Sequence, residues 1–366
     1  MSNKHPSDIP PRGETKSSRG QTVLRAILAV GGGLVLVVLG SLLVDFGLAP
    51  SWLTGATRDQ SEAETAAAQS GGDGKQAALF QPPAESTIPD DDFGKSVRRG
   101  MAIFNDTGTN AHDFVGNDLS CSNCHLDAGR QAYSAPMWAA YPVYPKYRGK
   151  NKMVNTMEDR IKGCFTYSMN AQGSPSGGPP PYGSDVYRDL QAYFFWMSKG
   201  LPTGEKPEGA GFGKIDKPAQ EPSRQRGEEV FAQNCAVCHG ADGQGQKDIN
   251  GKVVFPPLWG PHSFNWGAGM HKVDAAAAFI KHNMPLSEPN KLSVQEAWDV
   301  AAFVDSHPRP NDPRQIGDVT VKDAFDKWHH KHQGFYGKEV DGELMGPGYP
   351  SGDQASVPAQ NENSGG

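Results

Sequence analysis

CSNCH at residues 121–125 and CAVCH at residues 235–239 are two copies of one pattern, C-x-x-C-H. In this pattern two thiols bond the vinyl groups of one porphyrin, and the histidine that follows binds the iron. A zinc site made from both C-x-x-C pairs has suitable spacing, but it leaves the adjacent histidines without a role. We therefore predict two covalently attached haem c groups. The predicted attachment residues are Cys121, Cys124, Cys235 and Cys238, and the predicted proximal iron ligands are His125 and His239.

The composition agrees with this prediction. A length of 366 residues allows two domains with appended segments, and 44 glycines with 29 prolines indicate much irregular backbone. The net charge of -6 argues against nucleic acid as a partner. The haem motifs use four of the five cysteines, which leaves Cys164 without an assigned role.

The N-terminal region has the pattern of a membrane anchor. Residues 1–25 are polar and basic, residues 26–44 contain no charge, and residues 45–57 contain no lysine or arginine. An uncharged run of this length spans a bilayer, and the basic residues mark its cytoplasmic side. We predict a cytoplasmic N-terminus, a single-pass anchor over 26–48 in the inner membrane, and haem domains in the periplasm. A long cleavable signal peptide is the alternative.

Two similar units contain the haem motifs. Gly100 precedes Phe104 by four residues before the first motif, and Gly227 precedes Phe231 at the same spacing before the second. Each pair lies on one face of a predicted helix, where the glycine allows another helix to approach closely. Each unit also closes with apolar residues at helical spacing. These residues are Val186, Leu190, Tyr193, Phe194 and Met197 in the first unit, and Ala297, Val300, Ala301 and Val304 in the second.

The order of helix, haem motif, loops and closing helix is typical of a class I cytochrome c domain. The predicted fold is therefore mainly α, with two such domains in tandem. Ser293 and Glu296 predict a capping box at the start of the last helix. The predicted boundaries are a flexible linker at 49–90, the first domain at 91–203, an interdomain linker at 204–222, the second domain at 223–310 and a C-terminal tail at 311–366.

Each iron also needs a distal ligand, and the second unit offers several. The candidates there are Met270, His271, His282 and Met284. Met284 is favoured because a loop methionine followed by proline is the usual arrangement in a methionine-ligated cytochrome c. A thioether ligand also raises the haem potential, which suits the haem from which electrons leave.

The first unit leaves more alternatives open. The candidates for its distal ligand are Cys164, Met153, Met157, Met169 and Met197. An unpaired cysteine is most often a small buried apolar residue, whereas a thiolate on the iron would lower its potential. Several cations precede Cys164, and they form either a solvated surface or a cationic pocket beside the haem. These cations are Arg148, Lys150, Lys152 and Arg160.

Longer motifs resemble the dihaem cytochrome c type of thiosulfate dehydrogenase. The first is R-x-x-x-C-F-x-x-S-M-N at residues 160–170. The others are PLWG at 257–260, SFN at 263–265, GAGM at 267–270, NMP at 283–285, EAWDVAAF at 296–303 and SHPRP at 306–310. The resemblance covers residues 92–338, which is nearly all of the part predicted to be exported.

The resemblance implies that the first haem is the catalytic one, with His125 and Cys164 as its ligands. It implies that Met284 is the distal ligand of the second haem. Some family members carry a lysine beside this methionine as an alternative ligand, and Asn283 stands at that position here. A ligand switch between lysine and methionine is therefore not expected.

The resemblance also implies a substrate site. Arg160 and Ser168 match family residues that line it, and Lys150 stands where some members have a second arginine, for which Arg148 is a possible substitute. The membrane anchor is a departure from the family, whose members are commonly soluble periplasmic proteins.

The implied reaction is the oxidation of two thiosulfate ions to one tetrathionate with release of two electrons. Electrons would enter at the first haem and leave from the second to a small periplasmic or membrane acceptor, either a cytochrome or a high-potential iron–sulfur protein. Two alternatives stay open at this point. One is a membrane-tethered dihaem electron carrier without substrate chemistry, and the other is the same site working as a tetrathionate reductase.

Overall fold

The computed structural model describes residues 79–148, 152–315, 319–329, 339–340 and 343–344. These residues belong to one compact unit that begins at Leu79, and they are mainly helical. Among them we find no apolar helix of membrane-spanning length. The predicted anchor over 26–48 lies outside the described residues.

Six helices form the framework of the described chain. They are α1 (Asp92–Asn105), α2 (Met157–Gly163), α3 (Asp185–Met197), α4 (Arg224–Asn234), α5 (Val273–Asn283) and α6 (Val294–Asp305). Shorter helical segments are Thr107–Asn110, Leu126–Gly129, Met137–Ala140, Ala236–His239 and Val321–Ala324. Turns of 3-10 helix are Glu85–Thr87, His112–Phe114, Cys121–Asn123, Tyr141–Val143, Ala171–Gly173 and Gly269–His271, and π turns are Cys164–Ser168 and Phe325–His329.

The strands form small antiparallel hairpins. They are β1 (Lys146–Arg148) with β2 (Met153–Asn155), β3 (Gln246–Lys247) with β4 (Val253–Phe255), and β5 (Glu339–Val340) with β6 (Glu343–Leu344). The architecture is thus mainly α, as predicted, with the strands confined to loops.

One helix crossing occurs twice. In the first domain α1 packs against α3, and in the second α4 packs against α6. A Cβ atom on Gly100 would lie 2.0 Å from the carbonyl oxygen of Asp189, and one on Gly227 would lie 2.0 Å from that of Asp299. No side chain fits between the two backbones at either crossing, which confirms the close approach predicted from the glycines.

The two aspartates at these crossings also form ion pairs. Arg99 donates to both carboxylate oxygens of Asp189 at 2.7 and 2.8 Å, and Arg226 donates to both of Asp299 at 2.7 and 2.8 Å. Both carboxylates are almost fully buried, while both arginines reach solvent. Bidentate pairing of this kind fixes the direction of both side chains, so each ion pair stabilises one orientation of its crossing.

The predicted closing helices are α3 and α6. Leu190, Tyr193 and Phe194 are buried on α3, and the capping box of Ser293 and Glu296 is present at the start of α6. Both helices are therefore confirmed, because their apolar period and their cap are local properties of the sequence.

Residues 79–90 were predicted to end the flexible linker, and this part of the prediction is wrong. The ring of Phe80 lies 5.3 Å from that of Trp138, measured between centroids. Arg130 donates to the carbonyl oxygens of Pro82 and Pro83 at 3.0 and 2.8 Å. Composition showed that this segment has no core of its own, but it could not show that the segment uses the core of the first domain.

The segments predicted as interdomain linker and tail also pack on the domains where they are described. In the linker, Phe212 lies 5.5 Å from Phe279 of α5, measured between ring centroids. In the tail, Ala324 is fully buried beside Trp266. Residues 345–366 lie outside the described part of the chain.

Replacing Gly227 by alanine is expected to lower the free energy of unfolding of the haem-loaded protein by about 2 kcal/mol, the middle of the range for overpacked cores. The added methyl group meets the backbone of Asp299, which cannot move without opening the contact between α4 and α6. Chemical denaturation followed by circular dichroism measures the change. Gly178→Ala is the control, since nothing lies within 4 Å of a methyl group there. Equal losses in the two variants would contradict this account.

Candidate functional site

A first cavity opens beside the first C-x-x-C-H motif. It has a volume of about 400 Å³, and Cys121, Cys124, His125 and Cys164 all line it. Large apolar side chains form much of its wall, including Phe104, Met137, Phe165, Leu190 and Phe194. The size and the lining are typical of a cofactor site.

A second cavity of about 730 Å³ opens beside the second motif. Cys235, Cys238, His239 and Met284 line it. The two cavities share part of their wall, so a thin layer of side chains separates them. The shared residues are Leu119, Cys124, Phe264 and Met270.

The motif histidines are held in the form that binds iron. Nδ1 of His125 lies 2.7 Å from the carbonyl oxygen of Ala135, and Nδ1 of His239 lies 3.0 Å from that of Pro256. A carbonyl oxygen only accepts, so Nδ1 carries the proton and Nε2 keeps its lone pair. Burial lowers the pKa of His125 to about 4 and also lowers the pKa of His239, which keeps both rings neutral.

The motif thiols are divided between the two cavities. Cys121 lines the first cavity, whereas Cys235 and Cys238 line the second. Burial raises the pKa of Cys121 to about 12, that of Cys124 to about 11 and that of Cys235 to about 12. This arrangement disfavours one zinc site made from both pairs, because zinc requires thiolates that converge.

Cys164 is placed in the first cavity by a local change of helix type. Helix α2 begins at a capping box of Thr156 and Asp159 and continues into the π turn Cys164–Ser168. Nη1 of Arg160 donates to Sγ of Cys164 at 3.1 Å. The nearby negative charge of a Cys164 thiolate raises the pKa of Arg160. The pair therefore holds a fixed cation against a cysteine sulfur inside the cavity.

The structure brings other predicted site residues to the same place. Ser168, at the end of the π turn, lines the first cavity, and so does Arg148 at the end of β1. Arg148 donates to the hydroxyl oxygen of Tyr144 at 2.8 Å, which fixes its guanidinium. Lys150 lies outside the described residues.

The residues that line the second cavity exclude some candidates for the distal ligand of the second haem. His282 stacks on Tyr133 and His271 faces the backbone of its own turn, and neither lines this cavity. Met284 follows α5 directly and lines the second cavity but not the first, whereas Met270 lines both. The position of Met284 therefore agrees best with a distal ligand.

The lining of the first cavity excludes fewer of the candidates for the distal ligand of the first haem. Met153 is exposed on β2, and Met197 is buried in the core without lining the cavity. Met157 and Met169 line the cavity together with Cys164. Of these three, Cys164 alone carries a neighbouring cation bonded to its sulfur.

Among the residues that line the first cavity, sequence analysis did not predict Lys146 or Lys206 as site residues, and it quoted Phe264 only within the SFN motif. Lys146 is close in sequence to the other cations, which was a usable signal. Lys206 comes from the interdomain linker and has no local pattern, and the SFN motif around Phe264 does not show that this second-domain residue reaches the first cavity.

Two family models match the chain. Residues 109–203 match the one described as SoxA/TsdA, cytochrome c domain, and residues 224–308 match the one described as Cytochrome c. Together with the paired cavities, these matches define a protein of two cytochrome c domains in tandem. Haem c is the cofactor of such domains, and a thiol pair beside a neutral imidazole in each cavity fits it.

Whole proteins of known activity are similar to this chain. A thiosulfate dehydrogenase from Thiomonas intermedia (strain K12) is 53% identical over 269 residues, which cover 74% of this chain and 83% of that protein. A second, from Stutzerimonas stutzeri (strain A1501), is 47% identical over 282 residues, covering 76% and 89%. The solved structure of thiosulfate dehydrogenase (TsdBA) from Marichromatium purpuratum matches with a TM-score of 0.70 and 48% identity, covering 74% of this chain and 58% of that one. This chain belongs to the thiosulfate dehydrogenase family.

Replacing Met284 by histidine is expected to lower the midpoint potential of the second haem by about 0.1 V or more, within the roughly 0.8 V range that axial ligands span. An imidazole favours the reduced iron less than a thioether does. Spectroelectrochemical titration measures the shift, and the first haem should keep its potential. Met153→His is the control, since Met153 is exposed on β2. An unchanged second-haem potential in Met284→His would exclude Met284 as the ligand.

Proposed function

We propose that the protein oxidises two thiosulfate ions to one tetrathionate and passes the two electrons from a first haem to a second and on to an external acceptor. The observation that carries this proposal is the pair of Cys164 and Arg160, joined at 3.1 Å inside the cavity of the first haem motif. A simple electron carrier has no use for a thiol bonded to a cation at that place. Relatives named thiosulfate dehydrogenase support the choice of substrate.

The charges of the two cavities differ. Four cationic side chains and no carboxylate line the first cavity where it is described: Lys146, Arg148, Arg160 and Lys206. The second cavity is lined by one lysine and two acidic residues, Lys291, Glu288 and Asp305. Thiosulfate is a dianion, and a protein of net charge -6 needs a local cationic site to bind it. The first cavity supplies that site.

Cys164 would act as the nucleophile. In the proposed reaction its Sγ forms a bond to the sulfane sulfur of one thiosulfate, and the two electrons released leave singly. A second thiosulfate then attacks that sulfane sulfur, forms the central bond of tetrathionate and displaces Cys164 as a thiolate. Arg160 offsets the charge of the thiolate before and after this exchange.

Other side chains would hold the substrate. Ser168 and Arg148 line the same cavity as Cys164 and offer a hydroxyl group and a guanidinium to sulfonate oxygens. Lys150 is proposed as a further member of this site on the resemblance alone. Bound haem supplies the one-electron acceptors, with His125 and Cys164 as proposed ligands in the first cavity and His239 and Met284 in the second.

The shared wall and the rim of the second cavity suit the proposed electron path. Cys124 and Phe264 belong to both cavities, so electrons cross a thin layer between them. At the rim of the second cavity, Val237 is 77% exposed and Leu286 is 56% exposed. An apolar rim that reaches solvent gives a small cytochrome or a high-potential iron–sulfur protein a place to dock.

Replacing Cys164 by alanine is expected to lower the rate of thiosulfate oxidation by more than about a thousandfold, as the loss of a nucleophile does in other enzymes. Both haems should still attach, because Cys164 lies outside both motifs. Rates with an artificial electron acceptor and the electron paramagnetic resonance spectrum measure the two effects. Cys164→Met is a second variant, which offers a thioether ligand but no thiolate. Turnover that survives either substitution would refute the proposed chemistry.

We also propose that residues 26–48 anchor the protein in the inner membrane with the haem domains in the periplasm. The charge asymmetry around this uncharged segment supports the orientation. The full chain is expected in the membrane fraction and should need detergent for release. A variant in which a cleavable export signal replaces residues 1–48 should be soluble, carry both haems and keep its activity. Recovery of the full chain from the soluble periplasmic fraction would contradict the anchor.

A further inference from the structure

The four cations of the first cavity lie at two depths. Arg160 and Arg148 are half-buried, and their guanidinium groups are held by Cys164 and Tyr144. Lys146 and Lys206 line the same cavity, but both are exposed. The cavity therefore has an inner pair of positive charges beside the thiol and an outer pair at its mouth.

The backbone around Lys206 is fixed to the first domain on both sides. Before Lys206, the amide of Gly204 donates to the carbonyl oxygen of Pro142 at 2.8 Å. After it, the carbonyl oxygen of Gly209 accepts from the amide of Tyr133 at 2.8 Å. The interdomain linker thus holds Lys206 at the mouth of the cavity.

Lys146, the other exposed lysine of the cavity, is fixed by a hairpin. It is the first residue of β1 and pairs with Asn155 of β2, which is buried. Two residues beyond Asn155, the chain enters α2, which carries Arg160. The outer lysine and the inner arginine therefore belong to one connected segment, so their separation is set by the fold.

We propose that Lys146 and Lys206 form an outer anion subsite, which holds the second thiosulfate while the first is bound at Arg160 and Cys164. This inference rests on the proposed function, from which it takes the need for two dianions in one cavity. Each dianion then meets one pair of positive charges, which offsets the mutual repulsion of the two ions. The outer ion would then share one cavity with Cys164, as attack on a sulfane sulfur bound there requires.

The subsite predicts a specific kinetic change. Replacing Lys206 or Lys146 by glutamine should raise the thiosulfate concentration for half-maximal rate about threefold each, a size set by the energies of exposed ion pairs. The double variant should raise it further, and because both lysines hold the same ion, the combined effect should depart from the product of the two single effects. The maximal rate at saturating thiosulfate should stay within about twofold of the parent rate, because the inner pair and Cys164 are intact. Initial rates of the full-length haem-loaded protein over a wide range of thiosulfate concentration measure both quantities.

Matched variants separate the subsite from other roles of these lysines. Lys217→Gln removes the same charge from the same linker at an exposed position outside the cavity, and its rate curve should follow the parent curve. Lys206→Arg keeps the charge and should restore the parent curve. The dependence of the rate on ionic strength should weaken in Lys206→Gln and not in Lys217→Gln.

Three results would overturn the subsite while leaving the proposed function intact. One is a rate curve of Lys206→Gln that coincides with that of Lys217→Gln. Another is a fall in maximal rate without a change in half-maximal concentration. The third is a shift in the midpoint potential of the first haem with an unchanged thiosulfate dependence, which would assign these lysines to the haem. Absence of thiosulfate oxidation in the parent protein would instead refute the proposed function.

Discussion

The close crossing of two helices in each domain is the constraint on which the rest of the structure depends. Gly100 and Gly227 let the backbones approach so closely that a methyl group would overlap a carbonyl oxygen. Each crossing is then fixed by a bidentate ion pair on a buried aspartate. Helix α4 leads directly into the second haem motif, and Phe104 of α1 lines the first cavity, so the crossings also help to set where the two cavities open.

On this shared framework the two cavities have different chemistry. The first contains a thiol beside Arg160, with cations around it and no carboxylate among its described lining residues. The second contains Met284, an apolar rim and mixed charges. In the proposed function, the first cavity binds a substrate anion and the second releases electrons to an acceptor. The two tasks favour different local charge, haem potential and exposure to solvent. In this proposal two domains of one fold serve both tasks, since the cationic cavity of the first suits an anion and the exposed apolar rim of the second suits a protein acceptor.

The linker between the domains contributes to the difference between the two cavities. Its glycine, proline and lysine content predicts a spacer, yet its backbone is hydrogen-bonded to the first domain. It brings Lys206 to the first cavity and Phe212 to α5 of the second domain. The linker therefore holds the domains together and completes the wall of one cavity.

The sequence alone determined the features whose causes are local. It contained the haem motifs, the capping box at Ser293, the glycines at the crossings and the spare cysteine at position 164. These follow from spacing within one helical turn or one motif, so a single stretch of chain is enough to predict them.

Only the tertiary structure decided how distant segments converge. It placed Lys206 and Phe264 in the wall of the first cavity, excluded His282 from the second, and packed residues 79–90 on the first domain. Long-range contacts of this kind depend on how the domains pack, and no local spacing encodes them. The folded chain therefore decides which residues line each cavity, because both domains contribute to both walls and the linker contributes to the first.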